Sequence, residues 1–273
     1  MKIPFRAIGL GSLFAFVALA GAFALAPASA GPVNLIGLTG DNTLVLFNSG
    51  HPADVRLVKL TRMRGKLLGI DYRPTDGRLY GVTSTNDLYT LDSATGKAAL
   101  VARLNIAFDG GPRSGVDFNP QTDRLRLVGG NGQNLRAHAS LGAAALDSPL
   151  TFAPRDRHSG KHPRITASAY TNSVAGATAT RLFNIDSDLD ALVLQDPPND
   201  GVLTTVGPLG VDFGSQGGFD ILREDGGRDR AFAASGSTLY GIDLTKGTAT
   251  KLGTIGDGRL DLIGLAIPPP AAR

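Results

Sequence analysis

The chain has 273 residues, with 27 Lys+Arg against 24 Asp+Glu; Lys2 and Arg6 stand in its first thirty residues, so the remainder is nearly neutral at 25 against 24. That balance, with no basic face interleaved with aromatics, argues against a nucleic-acid partner. Cysteine is absent, which excludes disulfides and lipid attachment at a cysteine and leaves the core to hold the fold. The 36 glycines and 16 prolines interrupt the chain too often for a helical bundle.

Residues 1–30 combine Lys2 and Arg6 with an apolar stretch from Ala7 to Ala26 and close on Ala28-Ser29-Ala30. This is the pattern of an export signal, with cleavage near Ala30, before Gly31. No later stretch approaches the ~20 apolar residues of a membrane span. The mature chain is therefore expected to be secreted or periplasmic, with one domain over 31–267 and a Pro-rich tail over 268–273.

From Asn34 onward a short alternating run recurs five times: Asn34-Leu-Ile-Gly-Leu, Arg78-Leu-Tyr-Gly-Val, Arg124-Leu-Arg-Leu-Val, Arg181-Leu-Phe-Asn-Ile and Arg230-Ala-Phe-Ala-Ala. The second residues of these runs are spaced 44, 46, 57 and 49 apart, the repeat length of a four-stranded propeller blade. A further run starts ten or so residues later in each copy, at Leu44, Leu88, Leu135, Leu192 and Leu239. It is followed by turn residues such as Asp92 with Gly96 and Asp243 with Gly247, where a short acid accepts backbone N–H groups and glycine takes positive φ.

An innermost strand precedes each pair except the first: Leu68-Gly-Ile-Asp71, Ser114-Gly-Val-Asp117, Ala167-Ser-Ala-Tyr170, Gly217-Gly-Phe-Asp220 and, at the C-terminus, Ile263-Gly-Leu-Ala266. The last of these supplies what the first repeat lacks. Small residues fill one column, Gly69, Gly115, Ser168, Gly218 and Gly264, as crowding around an axis requires. The expected fold is all-β, a five-bladed β-propeller closed by pairing the C-terminal strand with the first blade; a two-sheet sandwich is the competing arrangement.

Asp71, Asp117 and Asp220 share a column two residues after the small one. Three carboxylates at a channel mouth would hold a hard cation such as Ca²⁺, or each would accept backbone N–H groups from its own hairpin or the next blade. Gly129-Gly-Asn-Gly-Gln133-Asn134-Leu-Arg136 lacks nucleotide-binding glycine spacing, but Gln133, Asn134 and Arg136 are candidates to hydrogen-bond a polar ligand such as a glycan. Asp186-Ser-Asp188-Leu-Asp190 opens like a calcium loop but has Ala191 and Pro197 where Gly and Glu are needed, so a hairpin turn is expected. Arg155, Arg157, Lys161 and Arg164, with His158 and His162, form a basic insertion expected to be a solvated, mobile loop. The mature chain holds none of the H-E-x-x-H, G-x-S-x-G or P-loop patterns.

Several segments together resemble a secreted bacterial family known only as a domain of unknown function: Gly115-Val-Asp-Phe-Asn-Pro120, Asp123-Arg-Leu-Arg126, Gly132-Gln-Asn-Leu-Arg136 and Ala169-Tyr-Thr-Asn172, over essentially Leu35 to Ile267. The resemblance implies an exported all-β repeat domain and transfers no catalytic residue. The expected function is an extracytoplasmic, non-catalytic binding or scaffold module for a glycan, peptide or protein, with no cofactor. The alternative is a Ca²⁺-dependent propeller hydrolase of lactonase type, with the three aspartates around an activated water. A third possibility, an envelope structural protein, would associate through exposed outer strands.

Overall fold

A computed structural model describes Met1 and residues 31–111 and 114–269. The expected export signal, apart from Met1, and the end of the Pro-rich tail lie outside the described residues. Five sheets, antiparallel apart from one outer pair, are arranged as the blades of a β-propeller. Blade 1 contains β1 (Asn34–Thr39), β2 (Thr43–Asn48) and β3 (His51–Lys59). Blade 2 contains β4 (Leu67–Tyr72), β5 (Leu79–Thr83), β6 (Asp87–Leu91) and β7 (Ala98–Arg103). Blade 3 is β8 (Ser114–Asn119), β9 (Arg124–Gly129), β10 (Asn134–Ala137) and β11 (Ala144–Leu146).

In blade 4, β12 (Thr151–Phe152) precedes β13 (Ile165–Tyr170), β14 (Leu182–Asp186), β15 (Ala191–Gln195) and β16 (Val202–Pro208). Blade 5 is β17 (Gly218–Arg223), β18 (Asp229–Ser235), β19 (Thr238–Ile242) and β20 (Ala249–Thr254). The closing strand β21 (Leu262–Ala266) is innermost in blade 1 and pairs antiparallel with β1, Gly37 opposite Leu265 and Leu38 opposite Gly264. Closure by this strand leaves neither inner edge open.

The inner strands β21, β4, β8, β13 and β17 neighbour one another in a closed ring. The small-residue column lies where they crowd most. A Cβ on Gly218 would sit 2.2 Å from the Leu265 nitrogen and 2.3 Å from the Gly264 carbonyl carbon. Backbone cannot rotate aside, so Gly218→Ala is expected to cost about 3 kcal/mol. Gly264→Ala, whose Cβ would meet nothing nearer than the Leu38 side chain at 3.3 Å, should cost about 1 kcal/mol or less. Urea unfolding at unchanged m-value measures both.

Alternating apolar residues pack between blades, as in the edge-to-face pair Tyr80 and Phe118 at 5.3 Å. Among the described residues the smallest apolar cluster joins blades 3 and 4, around Val128, Phe152, Ile165 and Leu203. There blade 4 gains a fifth strand, because β12 pairs parallel with β16, Thr151 opposite Val202.

The basic insertion that follows β12 is anchored. Asp156 accepts the Thr205 backbone N–H at 2.6 Å and its hydroxyl at 2.8 Å, and the His158 ring packs edge-on against Phe152 at 5.6 Å. No helix among the described residues is long and apolar enough to cross a membrane.

Candidate functional site

Asp71, Asp117 and Asp220 occupy equivalent places near the ends of β4, β8 and β17, all at most 4% exposed, and offer carboxylate oxygens within 4.8 Å of one another. Asp71 accepts the N–H of Tyr72 at 2.7 Å and that of Phe118, on the next blade, also at 2.7 Å. Asp220 repeats this with Ile221 and Ile267, both at 2.6 Å. Asp117 accepts the Tyr170 N–H of the next blade at 3.1 Å through one oxygen. Each aspartate thus ties its own inner strand to the following blade. Tyr170 and Ala266 hold the same column in the other two inner strands, so the pattern stops there.

No lysine or arginine neutralises the three acids at hydrogen-bond range among the described residues. Burial, reinforced by Asp220, pushes the Asp71 carboxyl well above the ordinary range. Burial and then the charges of Asp71 and Asp220 do the same to Asp117, and burial raises Asp220 to about 7. A cavity of about 190 Å³ lined by Asp71, Asp220, Arg73 and Arg223 opens at this end of the axis. On the other side of the acids the axis is filled, with only about 10 Å³ free between Gly69, Val116, Ser168 and Gly218. The donor set is all oxygen, which suits Ca²⁺, yet five of its six oxygens already accept backbone N–H groups.

A larger cleft of about 450 Å³ lies off the axis between blades 3 and 4. Its wall is built on Arg126 of β9, whose side chain is 3% exposed. Arg126 donates to Asn134 Oδ1 at 2.8 Å, to Asn199 Oδ1 at 2.6 Å, to the Tyr170 hydroxyl at 3.3 Å and to Asp147. Asn134 passes the network on, donating to the carbonyls of Ser148 and Pro198 and accepting from Gln195. Gln195 then accepts from Asn184, which accepts from Ser168 on the innermost strand. A continuous polar line therefore runs from the cleft to the axis and substitutes for the thin apolar packing of this junction.

The three residues of the glycine-rich turn have different places. Asn134 is fully buried inside this network. Gln133 accepts the Asp109 N–H at 2.7 Å and donates to the Ala107 carbonyl at 2.9 Å, fastening the loop between blades 2 and 3. Arg136 lines the cleft, paired with Asp147. Arg124, Arg126 and Asn199, which the sequence did not mark as ligand candidates, line it too; the signal for the two arginines was the Arg-Leu-Arg alternation in β9. The acidic run at 186–190 is a hairpin turn, with Asp186 accepting the N–H groups of Asp188 and Leu189 at 3.1 Å.

Similar solved structures include a Bacteroides thetaiotaomicron protein of unknown function, with a TM-score of 0.53 and 14% identity over 88% of this chain and 66% of that one. This chain therefore spans slightly less than two thirds of that protein, and at such identity the likeness shows the fold alone. Virginiamycin B lyase from Staphylococcus aureus matches at TM-score 0.45 and 10% identity over 81% of this chain and 69% of that one. An auxiliary nutrient binding protein from Bacteroides thetaiotaomicron matches at 0.43 and 14% over 72% and 55%. No curated protein sequence matches. The family model described as a domain of unknown function, DUF4394, matches residues 43–266, from the start of β2 to the last residue of the closing strand. The chain belongs to the DUF4394 family.

Proposed function

We propose that the protein is an extracytoplasmic, non-catalytic binding module whose ligand site is the cleft between blades 3 and 4. The observation that carries this reading is the cleft itself, about 450 Å³ of space beside a guanidinium fixed by four partners. That is the size and polarity of a small-ligand site, built on rigid strands. The extracytoplasmic placement rests on the export pattern of residues 1–30.

A thermal-shift panel of oligosaccharides and peptides on the mature protein tests this. A ligand at a hundredfold excess over its Kd adds about 2.7 kcal/mol, or roughly 5–10 °C in a domain of this size. The shift should disappear in an Arg124→Gln/Arg136→Gln double variant. A shift that survives the double variant would move the site elsewhere.

The second reading is the Ca²⁺-dependent hydrolase, favoured by the convergence of Asp71, Asp117 and Asp220 at the channel mouth. The aspartates would hold the ion, which would supply Lewis-acid activation of water. Their backbone hydrogen bonds weigh against it, because they give each acid a structural task of its own.

A further inference from the structure

The cleft between blades 3 and 4 carries more positive charge than its own acids answer. Arg126 of β9 stands directly opposite Arg136 of β10, and Arg124 lies two residues along the same face of β9. Like charges placed opposite one another cost stability, yet this face holds three. Arg126 and Arg136 both rest on the single, 5% exposed carboxylate of Asp147. Among the described residues Arg124 bonds only to the carbonyls of Thr122 and Asp123, and the one acid lining the cleft is the exposed Asp200. Three guanidiniums against two carboxylates leave an excess positive charge beside a partly buried cavity.

Residues lining the cleft also hold unused donors. Nε and Nη2 of Arg136 make no hydrogen bond among the described residues, and a guanidinium with free N–H groups fits a carboxylate in a bidentate pair. Around it, Asn119 spends its Oδ1 on the N–H groups of Gln121 and Thr122, leaving its amide NH₂ for a ligand. Among the described residues the cleft offers no exposed aromatic ring for stacking a neutral sugar: tryptophan is absent from the chain, and Tyr170 in the lining is fully buried.

We infer that the cleft binds a hydroxylated carboxylate, a sugar acid, with its carboxylate on Arg136 and Arg124 and its hydroxyls on the amides of the rim. This rests on the reading of the protein as a binding module and names the ligand class of that site.

Calorimetric titration of the mature protein with digalacturonate, the neutral digalactose of the same linkage and acetate tests it. Digalacturonate is expected to bind, about tenfold more weakly after Arg136→Gln, as loss of one charge-assisted pair implies. Raising the salt from about 0.05 M to about 0.5 M should weaken it further. Arg136→Gln and Arg124→Gln replace partly exposed side chains, and a melting temperature near the parent's shows for each whether the fold survives. Digalactose binding equally well would overturn the acid preference while leaving the module intact. Acetate binding equally well would reduce the site to one for a simple carboxylate and overturn the sugar assignment. Digalacturonate affinity unchanged in both Arg136→Gln and Arg124→Gln, or no binding of digalacturonate, would overturn the inference, and the separate ligand panel would then decide whether the module reading stands.

Discussion

A chain truncated after Asp261 is expected not to fold. The lost strand buries Leu262, Ile263 and Leu265 at no more than 4% exposure and supplies the ladder that closes blade 1. At about 1.5–3 kcal/mol for each large apolar side chain, these three contribute roughly 5–9 kcal/mol. Whole domains are stable by only about 5–15 kcal/mol. Truncation would also bare β1 and remove the acceptor's partner at Ile267, which Asp220 holds. Circular dichroism should show no cooperative melt, and size exclusion should show aggregation through the opened edge. A circular permutant that begins with Asp261–Ile267 and runs into Val33 should melt within a few degrees of the parent, because it only makes blade 1 contiguous. A truncated chain with a parental melting temperature would show that β21 does not close the ring.

The second large effect is a loss of stability as pH rises. Burial raises all three channel carboxyls, Asp220 to about 7 from an ordinary 3.8, so between those values the folded chain binds more protons than the unfolded one. The stability that goes with those protons is complete below about pH 4 and is lost as pH climbs through about 7. The three carboxyls lie within reach of one another, so they titrate together and the loss, on the order of a few kcal/mol, belongs to the cluster.

The hydrogen bonds single out the substitution that should remove part of this dependence. Asp117 uses one oxygen, towards Tyr170, so Asp117→Asn keeps the bond and removes a charge. It should match the parent near pH 4 and melt higher than it near pH 8. Asp71 uses both oxygens towards backbone N–H groups, so Asp71→Asn sets an NH₂ against an N–H and should cost about 1–3 kcal/mol near pH 4, less at higher pH, where it also removes a buried charge. Melting curves of the parent and Asp117→Asn that stay parallel from acid to alkaline pH would contradict this account of the cluster.

The ring was legible in the sequence because repetition and crowding act locally. The five runs became the second strands of the blades, and Gly69, Gly115, Ser168, Gly218 and Gly264 fall where inner strands nearly touch. The missing first strand pointed to β21 because an unpaired inner edge has to be filled.

The cleft was less legible because its parts meet only in three dimensions. Asn199 reaches Arg126 from 73 residues away, and a buried arginine in an alternating strand looks like a solvent-facing one until its partners are known. Asn134 looked like a surface amide after a glycine turn, yet its four hydrogen bonds tie two blades together. The two-residue strand β12 carries no periodicity to read. Asp156, the acid that anchors the basic insertion, is surrounded in sequence by cations that masked its role.

Calcium calorimetry on the mature protein, near neutral pH, separates a metal centre from a set of interblade ties most directly. Since five of the six oxygens already accept backbone N–H groups and Ca²⁺ needs six to eight oxygen ligands, no saturable binding is expected up to about 1 mM, a range that covers sensor-type sites. Stoichiometric binding that disappears in Asp117→Asn would contradict the account, make the channel mouth a metal centre and turn the function towards hydrolysis.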